Sequence, residues 1–154
     1  MKILFVTLEQ SARENLKVLL NEKFFQNNID KFYTFGMSQE SLPFKDLTNI
    51  KIKSLMGLID IFKNITYLFN LRSSLFLVEK ENNFTHIFFI DSFDFSKFYL
   101  NKFKNKSIKY CQFIGPSIFI WRKDKAKFIN NYFDHIFSIF EVERKFYYKE
   151  KYSY

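Results

Sequence analysis

Apolar and polar positions come in blocks along this chain, and the blocks predict strands and helices in alternation. The pattern is clearest over Thr85 to Ser96. Ile87, Phe88, Phe89 and Ile90 form an unbroken apolar run. At that length, rich in Ile and Phe, the run reads as a strand buried on both faces. Asp91 ends it, and a helical pattern follows over Phe95 to Phe103. Upstream, Lys2 to Leu8 reads as a first buried strand. Ser11 and Glu14 have capping-box spacing. Leu16, Leu19, Leu20 and Phe24 then share one helical face, with Lys17, Glu22 and Lys23 opposite. Phe32 to Phe35, closed by Gly36, is a second strand. A loop over 37–49 precedes Asn49 to Ser54, whose alternation suggests a short edge strand with one wet face.

From Leu55 the period becomes helical. Leu58, Ile61, Phe62, Ile65, Leu68 and Phe69 share a face that Ile59 widens, and Arg72, Leu75, Phe76 and Val78 continue it. The stripe is wider than one buried face needs. A core helix and an exposed apolar surface for lipid or membrane both fit it. Further strands are predicted at Ile108 to Ile114 and His135 to Phe140, and helices at Lys125 to Tyr132 and Glu141 to Lys149. Alternation of this kind gives one α/β domain over 1–154, a Rossmann-like parallel sheet of about five or six strands with helices on both faces. In such a sheet ligands bind outside the carboxyl ends of the strands. Asp91 is therefore the leading candidate for chemistry, although Asp91 or Ser92 also suits the N-cap of the next helix.

Composition changes this picture in a few respects. Gly 3 and Pro 2 are few, so turns must rely on Asn, Asp, Ser and Lys. Phe supplies 23 residues, which reads as compositional drift rather than function. The net charge of +8 favours an anionic partner: nucleic acid, a phosphorylated substrate or an acidic membrane surface. Arg122, Lys123, Lys125 and Lys127 beside Trp121 form a basic cluster that is more commonly a solvated helix face than a nucleic-acid site. Placed after a strand, it would share a rim with Asp91, where a carboxylate base beside cations suits an anionic acceptor bearing a hydroxyl. The lone Cys111 excludes an internal disulfide. No apolar stretch has the length of a membrane span, so membrane association is expected to be peripheral. Gly36, Gly57 and Gly115 are scattered, which argues against a Gly-rich nucleotide loop. His86, His135 and one cysteine offer no metal-ligand spacing.

Met56 to Phe62, Ile90 to Ser96 and Pro116 to Arg122 together resemble stretches of lipid-A-disaccharide synthase, a glycosyltransferase with two Rossmann-like halves. Met56-Gly57-Leu58-Ile59-Asp60-Ile61-Phe62 is similar to the family's Met-Gly segment, and Ile90-Asp91-Ser92-Phe93-Asp94-Phe95-Ser96 to its Ile-Asp-Ala/Ser-Pro-Asp-Phe-Asn. Pro116-Ser117-Ile118-Phe119-Ile120-Trp121-Arg122 is similar to its Pro-Ser-Val-Trp-Ala-Trp-Arg. Weaker likenesses lie at Asp134-His135-Ile136 and from Phe140 to Tyr147. Leu8-Glu9-Gln10-Ser11-Ala12-Arg13 keeps the Glu and Ser of the family's first loop but neither glycine nor its acid, and Phe93 stands where the family has proline.

The resemblance implies the N-terminal, acceptor-side half of a GT-B glycosyltransferase. That enzyme joins UDP-2,3-diacylglucosamine to 2,3-diacylglucosamine 1-phosphate in lipid A biosynthesis. Asp91 would be the general base on the acceptor's 6-hydroxyl. Ile59, Ile61, Phe62, Ile65, Leu68 and Phe69 would contact acyl chains or the membrane. Glu9, Ser11, Met56, Gly57, Ser117, Trp121 and Arg122 are further active-site candidates. No metal or cofactor is implied. Expected partners are an acylated glucosamine phosphate and an anionic inner-membrane surface, with a UDP-sugar only where a second half is supplied, and no nucleic acid. The expected place is cytoplasmic, peripheral on the inner face of the inner membrane. The alternative is a non-catalytic membrane-surface module derived from the enzyme.

Overall fold

The computed structural model describes residues 1–23, 27–37, 44–53, 64–115, 123–147 and 151–153. Seven strands form one sheet in the order β3-β2-β1-β4-β5-β6-β7. They are β1 (Ile3–Val6), β2 (Phe32–Phe35), β3 (Lys45–Asp46), β4 (His86–Ile90), β5 (Lys109–Phe113), β6 (His135–Phe137) and β7 (Tyr152–Ser153). Every pairing is parallel. Among the described residues four α-helices accompany them: α1 (Gln10–Leu20), α2 (Ile65–Asn82), α3 (Phe93–Phe103) and α4 (Lys123–Tyr132).

Alternate strand residues face different helices. Leu4, Val6, Ile87 and Phe89 pack with Leu71, Leu75 and Val78 of α2, Tyr99 and Leu100 of α3, and Ile129 of α4. Ile3, Phe5, Phe32 and Ile90 pack with Ala12, Leu16 and Leu20 of α1. Right-handed crossovers account for the division, because strand order reverses direction at β1 and puts the later helices on the other face. The single Rossmann-like α/β layer and its helices on both faces match the sequence pattern.

Several boundaries differ from the sequence reading. The predicted edge strand at Asn49 to Ser54 is not one. The edge strand is β3, four residues earlier, and residues 49–53 form no strand, with a bend at Ile50. Asp46 fixes that register: its carboxylate accepts bonds from the Thr34 hydroxyl at 2.9 Å and from the Met37 and Thr48 amides. Ile50 and Ile52 still pack against the core, which explains the alternation. The closing helix is a 3-10 turn, Glu141–Phe146, and β7 follows where no strand was expected.

Among the described residues, two charged side chains lie inside the helix–sheet layer without ion pairs. The Glu79 carboxylate accepts bonds from the hydroxyls of Tyr99 at 2.6 Å and Tyr110 at 3.0 Å. Burial pushes the Glu79 pKa up despite these donors. The Arg72 guanidinium lies 4.0 Å from the Phe98 ring centre, 4.7 Å from Phe69 and 5.5 Å from Phe103, which are cation–π distances.

Of the two glycines described, Gly36 and Gly115, it is Gly36 whose freedom the fold demands. Its φ is +111°, and a Cβ there would sit 1.7 Å from the carbonyl oxygen of Thr7. That close approach locks the end of β2 to the end of β1. Gly36→Ala is expected to destabilise the domain by at least about 2 kcal/mol. Urea denaturation followed by circular dichroism measures it, and an unchanged midpoint would contradict the close approach.

Candidate functional site

Strand order reverses between β1 and β4, so the loops that leave their carboxyl ends diverge and open a crevice. A cavity of about 560 Å³ occupies that position. Leu8 and Glu9, after β1, line one part of it, and Asp91, Ser92, Phe93 and Asp94, after β4, line another. Lys53, Ile65, Tyr67, Leu68, Phe69 and Leu71 contribute from the approach to α2 and its first turns, with Phe95 and Phe98 from α3.

The turn after β4 has a conformation that side chains rarely adopt. Asp91 and Ser92 both have left-handed backbones, with φ of 55° and 48°. Each such residue costs about 1–2 kcal/mol. The conformation is held from both sides. The Asp91 amide donates to the Phe113 carbonyl at 2.8 Å. The fully buried Gln112 side chain donates to the Asp91 carbonyl at 2.7 Å. Neither Asp91 nor Ser92 caps α3 with its side chain; Ser92 holds the N-cap position without a side-chain bond to the helix. The carboxylate is therefore released from the capping role that its place in the sequence allowed.

It meets Ser11 instead. The Ser11 hydroxyl donates to Asp91 Oδ2 at 3.2 Å. This corrects the capping box, since α1 begins at Gln10 with Glu9 as N-cap, and Glu14 bonds Gln10 and Lys17. The Ser92 hydroxyl lies 3.4 Å from Glu9 Oε1. Partial withdrawal from water raises the Glu9 pKa above 4.5, and the like charge of Asp91 adds to the rise. Among the described residues no group of three or more His, Cys, Asp or Glu is arranged to hold a metal ion. What the cluster offers is a half-buried carboxylate beside a hydroxyl and a second carboxylate with raised proton affinity. That set can accept a proton from a bound hydroxyl.

Of the residues singled out in the sequence, Asp91, Glu9 and Ser11 converge here, and Ile65, Leu68 and Phe69 form a neighbouring wall. Ile65 is 51 % exposed and Phe69 45 %, so this part of the helix keeps an open apolar side. Met56, Gly57, Ile59, Ile61, Phe62, Ser117, Trp121 and Arg122 lie outside the described residues. His86 and His135 begin β4 and β6, at the sheet edge away from the cavity. The sequence reading did not single out Gln112, Lys53 or Tyr67. A glutamine inside an apolar strand run was the available signal for the first.

An open parallel sheet with a cavity at its switch point defines a Rossmann-like α/β domain. A family model described as lipid-A-disaccharide synthetase matches residues 3–154, and the chain belongs to that family. It is 29 % identical over 146 residues to the lipid-A-disaccharide synthase of Acinetobacter baylyi, covering 92 % of this chain and 37 % of that protein. With the synthase of Francisella philomiragia identity is 30 % over 121 residues, covering 77 % and 31 %. With that of Blochmanniella pennsylvanica it is 30 % over 115 residues, covering 73 % and 29 %. The chain thus spans about a third of the length of the curated relatives it matches.

The raised Glu9 pKa has a consequence with a definite sign. A carboxyl that holds its proton more tightly when folded contributes most to stability at low pH, and that contribution is lost as pH rises through its folded pKa. Glu9→Gln is neutral throughout. The stability of the native chain minus that of Glu9→Gln is expected to decline as pH rises from 4.5 upward. Urea midpoints across that range measure it, and a difference that grows with pH would contradict the arrangement.

Proposed function

We propose that this chain is the acceptor-side part of a lipid-A-disaccharide synthase. It binds 2,3-diacylglucosamine 1-phosphate in the cavity between β1 and β4 and prepares its 6-hydroxyl for transfer. The observation that carries the reading is the Asp91 carboxylate, half-buried in a largely apolar cavity at the switch point and held by Ser11. Asp91 accepts the proton of the 6-hydroxyl as that oxygen attacks the anomeric carbon of UDP-2,3-diacylglucosamine. The carbon–oxygen bond to UDP breaks, and UDP leaves with the electron pair. The remaining length of the synthase supplies the donor site. A purely lipid-binding module is disfavoured, because it leaves the strained turn and its carboxylates without a task.

Membrane docking belongs to the same reading. Ile65 and Phe69 present apolar surface at the mouth of the cavity, and the net charge of +8 favours an anionic bilayer. The stretch just before them, with Ile59, Ile61 and Phe62, extends the same stripe in sequence. The domain would sit on the cytoplasmic face of the inner membrane, where acylated sugars are presented.

Grafting residues 3–154 into the Acinetobacter baylyi synthase, in place of its matching segment, tests the transfer step. The chimera is expected to form the disaccharide. Asp91→Asn in it should lower kcat by about 10³-fold with the circular dichroism spectrum unchanged. A graft that folds and binds acceptor but keeps its rate after Asp91→Asn would remove Asp91 from the mechanism. For docking, Ile65→Ser with Phe69→Ser should reduce flotation with phosphatidylglycerol vesicles. Unchanged flotation would reject this patch as the membrane contact.

A further inference from the structure

The cavity that gathers Glu9, Asp91 and Asp94 also carries a cation, which has no ion-pair partner among the described residues. Lys53 lines the cavity from the segment that follows β3. Its ammonium stands 5.3 Å from the centre of the Tyr67 ring. Its backbone amide donates to the Tyr67 hydroxyl at 2.8 Å. Two contacts with one aromatic residue therefore fix Lys53, one through its main chain and one through its side chain. Among the described residues no carboxylate lies within salt-bridge distance of its ammonium.

Tyr67 is matched to this neighbour. Its oxygen accepts the Lys53 amide, so its own proton remains to be donated, and no acceptor for it exists among the described residues. Tyr67 also lines the cavity. An ammonium and a phenolic O–H thus stand together on an otherwise apolar wall. Arg72 is not among the lining residues, and the rings of Phe69, Phe98 and Phe103 lie around its guanidinium. An ammonium beside a neutral donor recognises an oxyanion, and a doubly ionised phosphate monoester gains most from the pair.

We propose that Lys53 and Tyr67 bind the phosphate monoester of the acylated sugar acceptor and so set its orientation in the cavity. The phosphate lies against the Lys53–Tyr67 wall, and the sugar's free hydroxyl reaches the Asp91 wall. The inference rests on the acceptor reading above and adds to it the group that selects a phosphorylated acceptor. The Lys53 ammonium supplies charge, and the Tyr67 hydroxyl supplies direction.

Binding of two probes to the chain in neutral detergent micelles tests it: 2,3-diacylglucosamine 1-phosphate and the same molecule without its phosphate. The native chain should prefer the phosphorylated form by about tenfold or more. Lys53→Met should bring the two affinities within about twofold of each other while leaving the phosphate-free form bound as before, which also reports an intact fold. Tyr67→Phe should reduce the preference in part, and Lys53→Arg should retain most of it. A native chain that binds both probes equally, or a preference that survives Lys53→Met, overturns the proposal and leaves the acceptor reading standing. Binding of neither probe overturns both. A parallel arm with phosphatidylglycerol vesicles separates the other source of phosphate. If Lys53→Met weakens vesicle binding while the two probes are bound alike, the pair contacts bilayer headgroups and the proposal falls.

Discussion

The site depends on a single buried amide. Gln112 sits near the end of β5 with no exposed surface, in a position where a polar side chain costs about 1–3 kcal/mol unless its bonds are made. They are made. Its nitrogen donates to the Asp91 carbonyl at 2.7 Å and lies 3.3 Å from the Ile114 carbonyl, while its oxygen faces the Ser96 hydroxyl at 3.1 Å. Asp91, Ser92 and Ile114 all have left-handed backbones, and for β-branched Ile114 that is a true outlier. Gln112 thus ties together the two places where the chain leaves the sheet under strain. Strain of this kind persists where its surroundings over-determine it, and here β4 is paired on both sides, with β1 and β5. The result is an acid turned toward Ser11 in the first turn of α1 rather than spent on a helix cap.

Aromatic residues do much of the work that ion pairs do elsewhere. Arg72 and Glu79 lie seven positions apart on one face of α2, and both are buried. Neither is paired with the other. Phenylalanine rings hold the cation and tyrosine hydroxyls hold the anion. Burying two charges without pairing them is costly in an aliphatic core. In this chain the abundant Phe and Tyr reduce that cost through ring faces and phenolic donors. What looked like compositional drift therefore carries structural weight in the α2–α3 layer. The net charge of +8 is a poorer guide to the site, since the cavity itself gathers Glu9, Asp91 and Asp94.

Legibility followed the range of the interaction. The strand at Phe32–Phe35 and the apolar run Ile87 to Ile90 were readable because a strand buried on both faces leaves little freedom in residue choice. Asp91 was readable as a position, since fold class alone puts the residue after a central strand on the ligand-binding rim. Its partner was not. Ser11 lies 80 positions away, and local spacing offered it a cap three residues from Glu14. The edge strand was misplaced for a related reason. Alternation reports which side chains are buried, and Ile50 and Ile52 are packed without being paired. Pairing was decided by the Asp46 carboxylate, whose partners are spread over Thr34, Met37 and Thr48. Lys53 and Tyr67 are ordinary in sequence and become notable only where two segments meet over one cavity.

The cavity and the exposed apolar side of α2 are parts of one surface. Leu71 is 2 % exposed at the cavity wall, whereas Ile65 and Phe69, earlier on the same helix, are 51 % and 45 % exposed. Apart from Tyr67, the lining that α2 contributes therefore stays apolar from the exposed Ile65 to the buried Leu71. Under the acceptor reading this geometry joins substrate capture to membrane docking. An acyl chain leaving the bilayer would cross from lipid to Phe69 and Ile65, and from there to Leu68 and Leu71, while remaining on apolar surface. Each methylene kept out of water avoids about 0.8 kcal/mol, so a path that exposed even half of a long acyl chain would be slow. A helix whose first turns are open and whose later turns are buried provides the shorter alternative, and the carboxylates then meet only the sugar end.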